Sequence, residues 1–138
     1  MKVSASIKSN FNHHEVVIQS DDAAKTMQGS PKASGYGSSV NGGELLFLSL
    51  DTCFCNDLYR EAGKRNIALA GVEVLLKSEF TAEGKPGTNF SYWAKVSSDA
   101  LDAEIQDLIA STDRVAEIHN TLRKGVSVLL QDETQSLE

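Results

Sequence analysis

Cys53 and Cys55 stand two residues apart in a stretch that reads as helix, and they are the only cysteines of the chain. Two helical positions correspond to about 200° of rotation, so the two side chains point to nearly opposite faces. Their Cβ atoms diverge, which disfavours a mutual disulfide and a shared chelate. One sulfur at most faces a given site, and Cys53 is the candidate nucleophile. A thiol attacks as its thiolate, which needs a cation or a helix N-terminus nearby. Cys53 falls near the third turn of its helix, beyond the reach of that helix's own dipole. Its same-face neighbours are Ser49, Asn56 and Asp57, and the carboxylate of Asp57 would raise the thiol pKa. Cys55 has Asp51 at the equivalent distance. An activating cation must therefore arrive from elsewhere, with Arg60, Arg114 and Arg123 as candidates. The residues alone also allow a plainer account. Both cysteines would then be small core side chains, and the arginines solvated charges or partners of Asp57 and Glu61.

Other chemistry is poorly served. His13 and His14 are adjacent on a strand end and point to opposite faces, so they chelate badly. His119 lies in a helical stretch beside Glu117 and Asn120, and no metal site is expected. No glycine-rich phosphate loop opens a helix with the required spacing, and no serine elbow is present.

The elements that must position Cys53 follow from periodicity. Val3, Ala5 and Ile7 alternate with polar residues, Val16 to Ile18 form a β-branched run, and a third short strand is expected from Ala24 to Gln28. Asn10-Phe11-Asn12 is the first turn. Residues 29–43 are rich in glycine and serine and predict a loop, either a passive linker or a functional segment. Residues 44–63 predict a helix whose first half, with Leu45, Leu46, Leu48 and Leu50, should be buried on several faces. Residues 67–80 and 89–98 alternate as an antiparallel hairpin with Val72, Val74 and Leu76 on one face. Ser98 or Asp99 would cap a helix over 100–110. Thr112 or Asp113 would cap a second, ended by Gly125. Val126, Val128 and Leu130 predict a last strand, and the tail from Asp132 to Glu138 should fray. Strands and helices in this order argue an α+β domain, one over 1–138. A helix apolar nearly all round needs more cover than one small sheet gives, so a homodimer sharing its core is expected.

Composition bounds the function. Hydrophobic residues are 41% and charged residues 23% of 138, ordinary globular values that exclude a disordered chain. Thirteen Lys and Arg against nineteen Asp and Glu leave a formal charge of −6, which argues against nucleic-acid binding. The longest apolar run, Leu45 to Leu50, falls far short of the roughly 20 residues of a membrane span. Met1-Lys2-Val3-Ser4 lacks the apolar core of a signal peptide, so a cytoplasmic location is expected.

The stretch Asn41-Gly42-Gly43-Glu44-Leu45-Leu46-Phe47-Leu48-Ser49-Leu50-Asp51-Thr52-Cys53-Phe54 resembles the central-helix motif of the OsmC/Ohr family, the osmotically induced and organic hydroperoxide resistance proteins. Ala116 to Leu122 falls where the family's second cysteine segment belongs, and Gly125-Val126-Ser127-Val128 resembles its closing strand. The resemblance implies an OsmC-like α+β fold, with antiparallel sheets wrapped around a buried central helix in an intertwined homodimer. It implies a stress-response protein that reduces small organic hydroperoxides with an external dithiol and without metal or organic cofactor. Cys53 matches the peroxidatic position. The second cysteine is replaced, with Ala116 standing there. The family's catalytic glutamate falls at Gly43, with Glu44 adjacent, and no arginine precedes Arg60. Cys55, Glu44, Asp57, Arg114, His119 and Arg123 are the residues expected to line the site or tune the thiol. The alternatives are a module binding a small hydrophobic ligand at the dimer interface and a structural dimer without a site.

Overall fold

In the computed structural model residues 1–131 are described, and they divide into two units, Met1–Leu46 and the chain from Phe47 onward. No helix among them is long and apolar enough to cross a membrane.

The first unit is an antiparallel meander of β1 (Val3–Asn10), β2 (His13–Ser20) and β3 (Ala23–Met27), with β2 central. Two-residue turns join the strands. Asn12 (φ 57°) and Asp21 (φ 50°) take the left-handed conformation there, which short polar side chains tolerate best. The register sets Ile7 against Val16 and Val16 against Met27, so the alternation builds one apolar stripe across the sheet. Ile7 and Met27 remain 56% and 42% exposed. The glycine-rich segment after β3 is no slack linker. Pro31 bridges Ser38, and Gly35 accepts a hydrogen bond from the Asn12 amide at 2.7 Å. Gly35 is required at this point. Its φ is +88°, and a Cβ would lie 2.5 Å from the Phe11 ring.

Helix α1 (Gly42–Lys64) starts at a capping box. The Glu44 amide donates to Asn41 Oδ1 at 2.8 Å, and the Asn41 amide donates to Glu44 Oε1 at 3.0 Å. Only one stripe of α1 is buried, namely Leu50, Phe54, Asp57, Leu58 and Ala62. This corrects the expectation of burial on several faces, since Leu45 and Leu48 are exposed. The stripe follows i, i+4 spacing and meets a surface on one side.

In the second unit β4 (Gly71–Glu79) and β5 (Thr88–Ser97) pair antiparallel, with Val74 opposite Ala94 and Leu76 opposite Tyr92. One face of this ribbon packs Val72, Val74, Tyr92, Ala94 and Val96 onto the core of Phe54, Leu58, Ala62, Ile105, Leu108 and Ala116. The other face carries Leu75 directly opposite Trp93, both exposed. Burying Phe54, Leu58 and Leu108 contributes about 2 kcal/mol each relative to exposure.

The helical end departs from the sequence expectations in three places. Helix α2 spans Asp102–Val115 with Leu101 at the N-cap, so neither Ser98 nor Asp99 caps it. The Ser98 hydroxyl instead accepts the Ala100 amide and bonds the Ala68 carbonyl. Thr112 does not open a second helix. It is fully buried inside α2 and donates to the Leu108 carbonyl at 2.7 Å. Helix α3 (Glu117–Lys124) begins after Ala116 and ends at Gly125, in the left-handed conformation as expected. Val126 to Leu130 form no strand. Alternation makes a strand only where a neighbour offers its backbone, and these side chains stand exposed, Val128 at 93%. The tail from Asp132 to Glu138 lies outside the described residues. The result is an α+β fold with antiparallel sheets and, among the described residues, three helices.

Candidate functional site

Cys53 faces an acidic cluster built from two helices. Asp57 is one turn further along α1, and its Oδ2 lies 3.5 Å from Cys53 Sγ. Glu117, 64 residues away in sequence, brings Oε2 to 3.9 Å from the same sulfur. The Ile118 amide at the start of α3 donates to the sulfur. Ala116, the N-cap of α3, carries no side-chain acceptor. Cys53 thus occupies the place of a cap for one of the unpaired amides of that helix.

Arg60 is the cation of the cluster, and it binds the acids. Its Nη1 is 3.1 Å from Asp57 Oδ1 and 3.5 Å from Glu117 Oε1, while Nε is 3.0 Å from Glu61 Oε1. Lys64 reaches the same Glu61 oxygen at 3.0 Å. Asp57 is buried at 6% exposure, whereas the Glu117 side chain is 64% exposed.

The electrostatics separate the three acidic groups. Burial pushes the Cys53 thiol up. The Ile118 amide works against this, and the charges of Asp57 and Glu117 add to it. Burial and the neighbouring Glu117 charge raise the carboxyl of Asp57, against the pull of Arg60. Glu117 is held low by its own helix-terminal amide and by its contacts with Asp57 and Arg60. The two adjacent carboxyls are thus shifted in opposite directions, Asp57 up and Glu117 down. The donor atoms of Cys53, Asp57 and Glu117 lie within 4.8 Å of one another, a spacing a cation could bridge. Arg60 already supplies positive charge to both carboxylates.

The remaining expected residues are placed elsewhere. Cys55 is half-buried and carries no disulfide. Glu44 is engaged in the capping box of α1. Arg114 donates to Ser111 one turn back at 3.2 Å. Arg123 pairs with Asp113 at 2.6 Å and also reaches the Asp113 carbonyl and Asn120 Oδ1. The other Asp113 contact is the Tyr92 hydroxyl, which donates to it. His119 is buried at 5% exposure between Phe54 and Tyr92, with ring centroids 5.6 and 4.7 Å away. Neither of its nitrogens has a hydrogen-bond partner among the described residues. His13 and His14 belong to β2 and lie opposite Asn10 and Ser9 of the first hairpin.

Of the members of this cluster, the sequence alone pointed to Cys53, Asp57 and Arg60, but not to Glu117 or the Ile118 amide as neighbours of the sulfur. Its expected helix break at Thr112 or Asp113 put residues 117 and 118 mid-helix, where their amides would be satisfied internally. The break at Ala116 makes them a helix start. The available signal was Glu117 itself, an acid favoured in a first helical turn.

Residues 35–131 match the family model of the OsmC-like proteins. No curated protein sequence matches the chain significantly. Among solved structures, the chain is similar to an OsmC-like protein from Mycoplasma pneumoniae. The TM-score is 0.64 at 20% identity, covering 91% of this chain and 89% of that one. An organic hydroperoxide resistance protein from Elizabethkingia anophelis, with thiocyanate bound, gives 0.61 at 19% identity over 93% and 92% of the two chains. One from Legionella pneumophila gives 0.58 at 19% identity over 93% of each.

Proposed function

The chain belongs to the OsmC-like protein family and has its fold, and from that premise we propose a stress-response protein that reduces small organic hydroperoxides through Cys53 alone. The carrying observation is that one sulfur has both a proton acceptor, Asp57 Oδ2 at 3.5 Å, and a backbone donor, the Ile118 amide. Asp57 takes the thiol proton as the sulfur attacks the terminal peroxide oxygen. The S–O bond forms, the O–O bond breaks, and sulfur is oxidised by two electrons while the peroxide is reduced. The departing alkoxide leaves as an alcohol with the proton from Asp57, and Cys53 becomes a sulfenic acid. The Ile118 amide offsets charge developing on sulfur. Arg60 and Glu117 hold Asp57 in place.

Cys55 diverges from Cys53 on the helix and Ala116 has no thiol, so regeneration falls to an external dithiol. One of its thiolates displaces water from the sulfenic acid to form a mixed disulfide. The other releases Cys53 and closes the donor's own disulfide. The domain, 1–138, works as a cytoplasmic homodimer in this reading. The open stripe of Ile7 and Met27 and the exposed Leu48, Leu75 and Trp93 are apolar surface for a second copy to cover.

A second reading, non-catalytic binding of a small hydrophobic ligand, is favoured by one feature. Phe47 stacks with Phe80 at 6.1 Å and meets Phe90 edge-on at 5.6 Å, and the latter two rings are half-exposed. The deciding experiment follows cumene hydroperoxide consumption with dithiothreitol in the native protein and in Cys53→Ser. Consumption above the free-dithiol background that disappears in the variant is the expected result. Background consumption by both proteins, with an apolar ligand retained in native mass spectrometry, selects the second reading.

A further inference from the structure

The charged side-chain atoms placed against the Cys53 sulfur are carboxylate oxygens, not a cation. Beside the Ile118 amide, the side-chain hydrogen-bond partners of the sulfur are Asp57 Oδ2 at 3.5 Å and Glu117 Oε2 at 3.9 Å. The Arg60 guanidinium lies on the far oxygens of the same two carboxylates, Asp57 Oδ1 and Glu117 Oε1. It is also shared with Glu61, whose other partner is Lys64. Three acids therefore face two bases, and the cluster keeps a net negative charge. Of the two carboxylates at the sulfur, Asp57 is buried and Glu117 is on the solvent side.

We propose that this arrangement selects by charge: the site admits uncharged electrophiles and hydroperoxides and holds off those whose own negative charge lies close to the reacting atom, with Glu117 as the specificity-determining residue. The inference rests on small molecules reaching Cys53, as in the function proposed above, but not on their being reduced there. The range of the effect is set by screening. At physiological salt a charge beyond about 8 Å is largely masked. A long-chain hydroperoxide with a remote carboxylate is accepted, and one with a carboxylate beside the peroxide is not.

Iodoacetamide and iodoacetate test this on the intact protein, with Cys53 labelling resolved from Cys55 by fragment mass spectrometry. The reagents are nearly isosteric and differ by one charge. Their rate ratio on one sulfur cancels the fraction of thiolate present. A unit charge about 4 Å away in water changes such a ratio about fivefold. The amide-to-acetate ratio at Cys53 is therefore expected to exceed that of mercaptoethanol by about this factor, and to fall in 0.5 M salt. Glu117→Gln should bring it close to the mercaptoethanol value, and Glu117→Lys below that. The exposure of Glu117 makes both variants tolerable to the fold. A wild-type ratio equal to that of mercaptoethanol, or one unmoved in both variants, overturns the proposal. Failure of both reagents to label Cys53 overturns it together with the peroxidase reading. Charge discrimination without peroxide consumption overturns only the peroxidase reading, and consumption without discrimination overturns only this inference.

Discussion

Two of the arginine–carboxylate groups in the second unit, one around Tyr92 and one around Cys53, differ in stoichiometry. Around Tyr92, one arginine meets one carboxylate. Asp113 receives Arg123 and the Tyr92 hydroxyl. Burial pushes Asp113 up, but the two donors outweigh it and hold it below the usual carboxylate range. The cluster is electrically closed, and burial and Asp113 drive the Tyr92 hydroxyl up, away from ionisation. Around Cys53, one arginine serves Asp57 and Glu117 together with Glu61. Charge is left over, Asp57 is raised rather than lowered, and the remaining neighbour is a thiol. A balanced pair ties helix to sheet, whereas an unbalanced set beside a thiol can move a proton.

The largest test of that contrast removes the proton acceptor. Asp57→Asn keeps the shape and abolishes the base, and kcat/KM for cumene hydroperoxide should fall by roughly 10²-fold, the usual worth of general acid–base assistance. The thiol should also titrate lower in a pH series of iodoacetamide labelling, since an anion that raises it is gone. Full activity in this variant would make the two clusters equivalent.

Next in size is Tyr92→Phe. Removing a hydroxyl whose partner retains Arg123 should cost about 1 kcal/mol in urea unfolding and leave peroxide kinetics unchanged. A kinetic defect there would mean the closed cluster communicates with Cys53 through Phe54, whose ring lies 4.9 Å from Tyr92.

The smallest expected effect concerns His119, which borders the closed cluster. Burial first, and Arg123 second, hold its pKa below the usual value. The unfolded chain then binds the proton more readily than the folded one. Stability is full above about pH 6.5 and declines as pH falls through the folded-state value. His119→Gln should flatten the acid limb of the urea midpoint between pH 7.5 and 5. An unchanged acid limb would show that His119 is solvated in the folded protein.

Much of this was legible in the chain. Alternation marked β1, β4 and β5, and the β-branched run Val16 to Ile18 marked β2. The apolar cluster Leu45, Leu46, Leu48 and Leu50 marked the start of α1, although the buried stripe proved to run through Leu50, Phe54, Leu58 and Ala62, and Gly125 marked the end of α3. The pair Cys53–Asp57 was legible because i and i+4 share a helix face wherever that helix goes. The last strand was not, because Val126, Val128 and Leu130 alternate without a neighbour to pair with. The role of Glu44 was legible in principle, since Asn41 and Glu44 have capping-box spacing.

Local order thus settled which segments became helix or strand, that Cys53 and Cys55 diverge, and that an acid would stand one turn from the candidate nucleophile. These depend on backbone geometry within a few residues. Only the tertiary structure decided that Glu117 and the Ile118 amide reach the sulfur, that Arg60 is spent on carboxylates, and that Arg123 closes a separate cluster. Those outcomes depend on where α2 stops and how α3 docks on α1. Buried packing of Leu108, Thr112 and Ala116 sets that docking, and no local propensity encodes it.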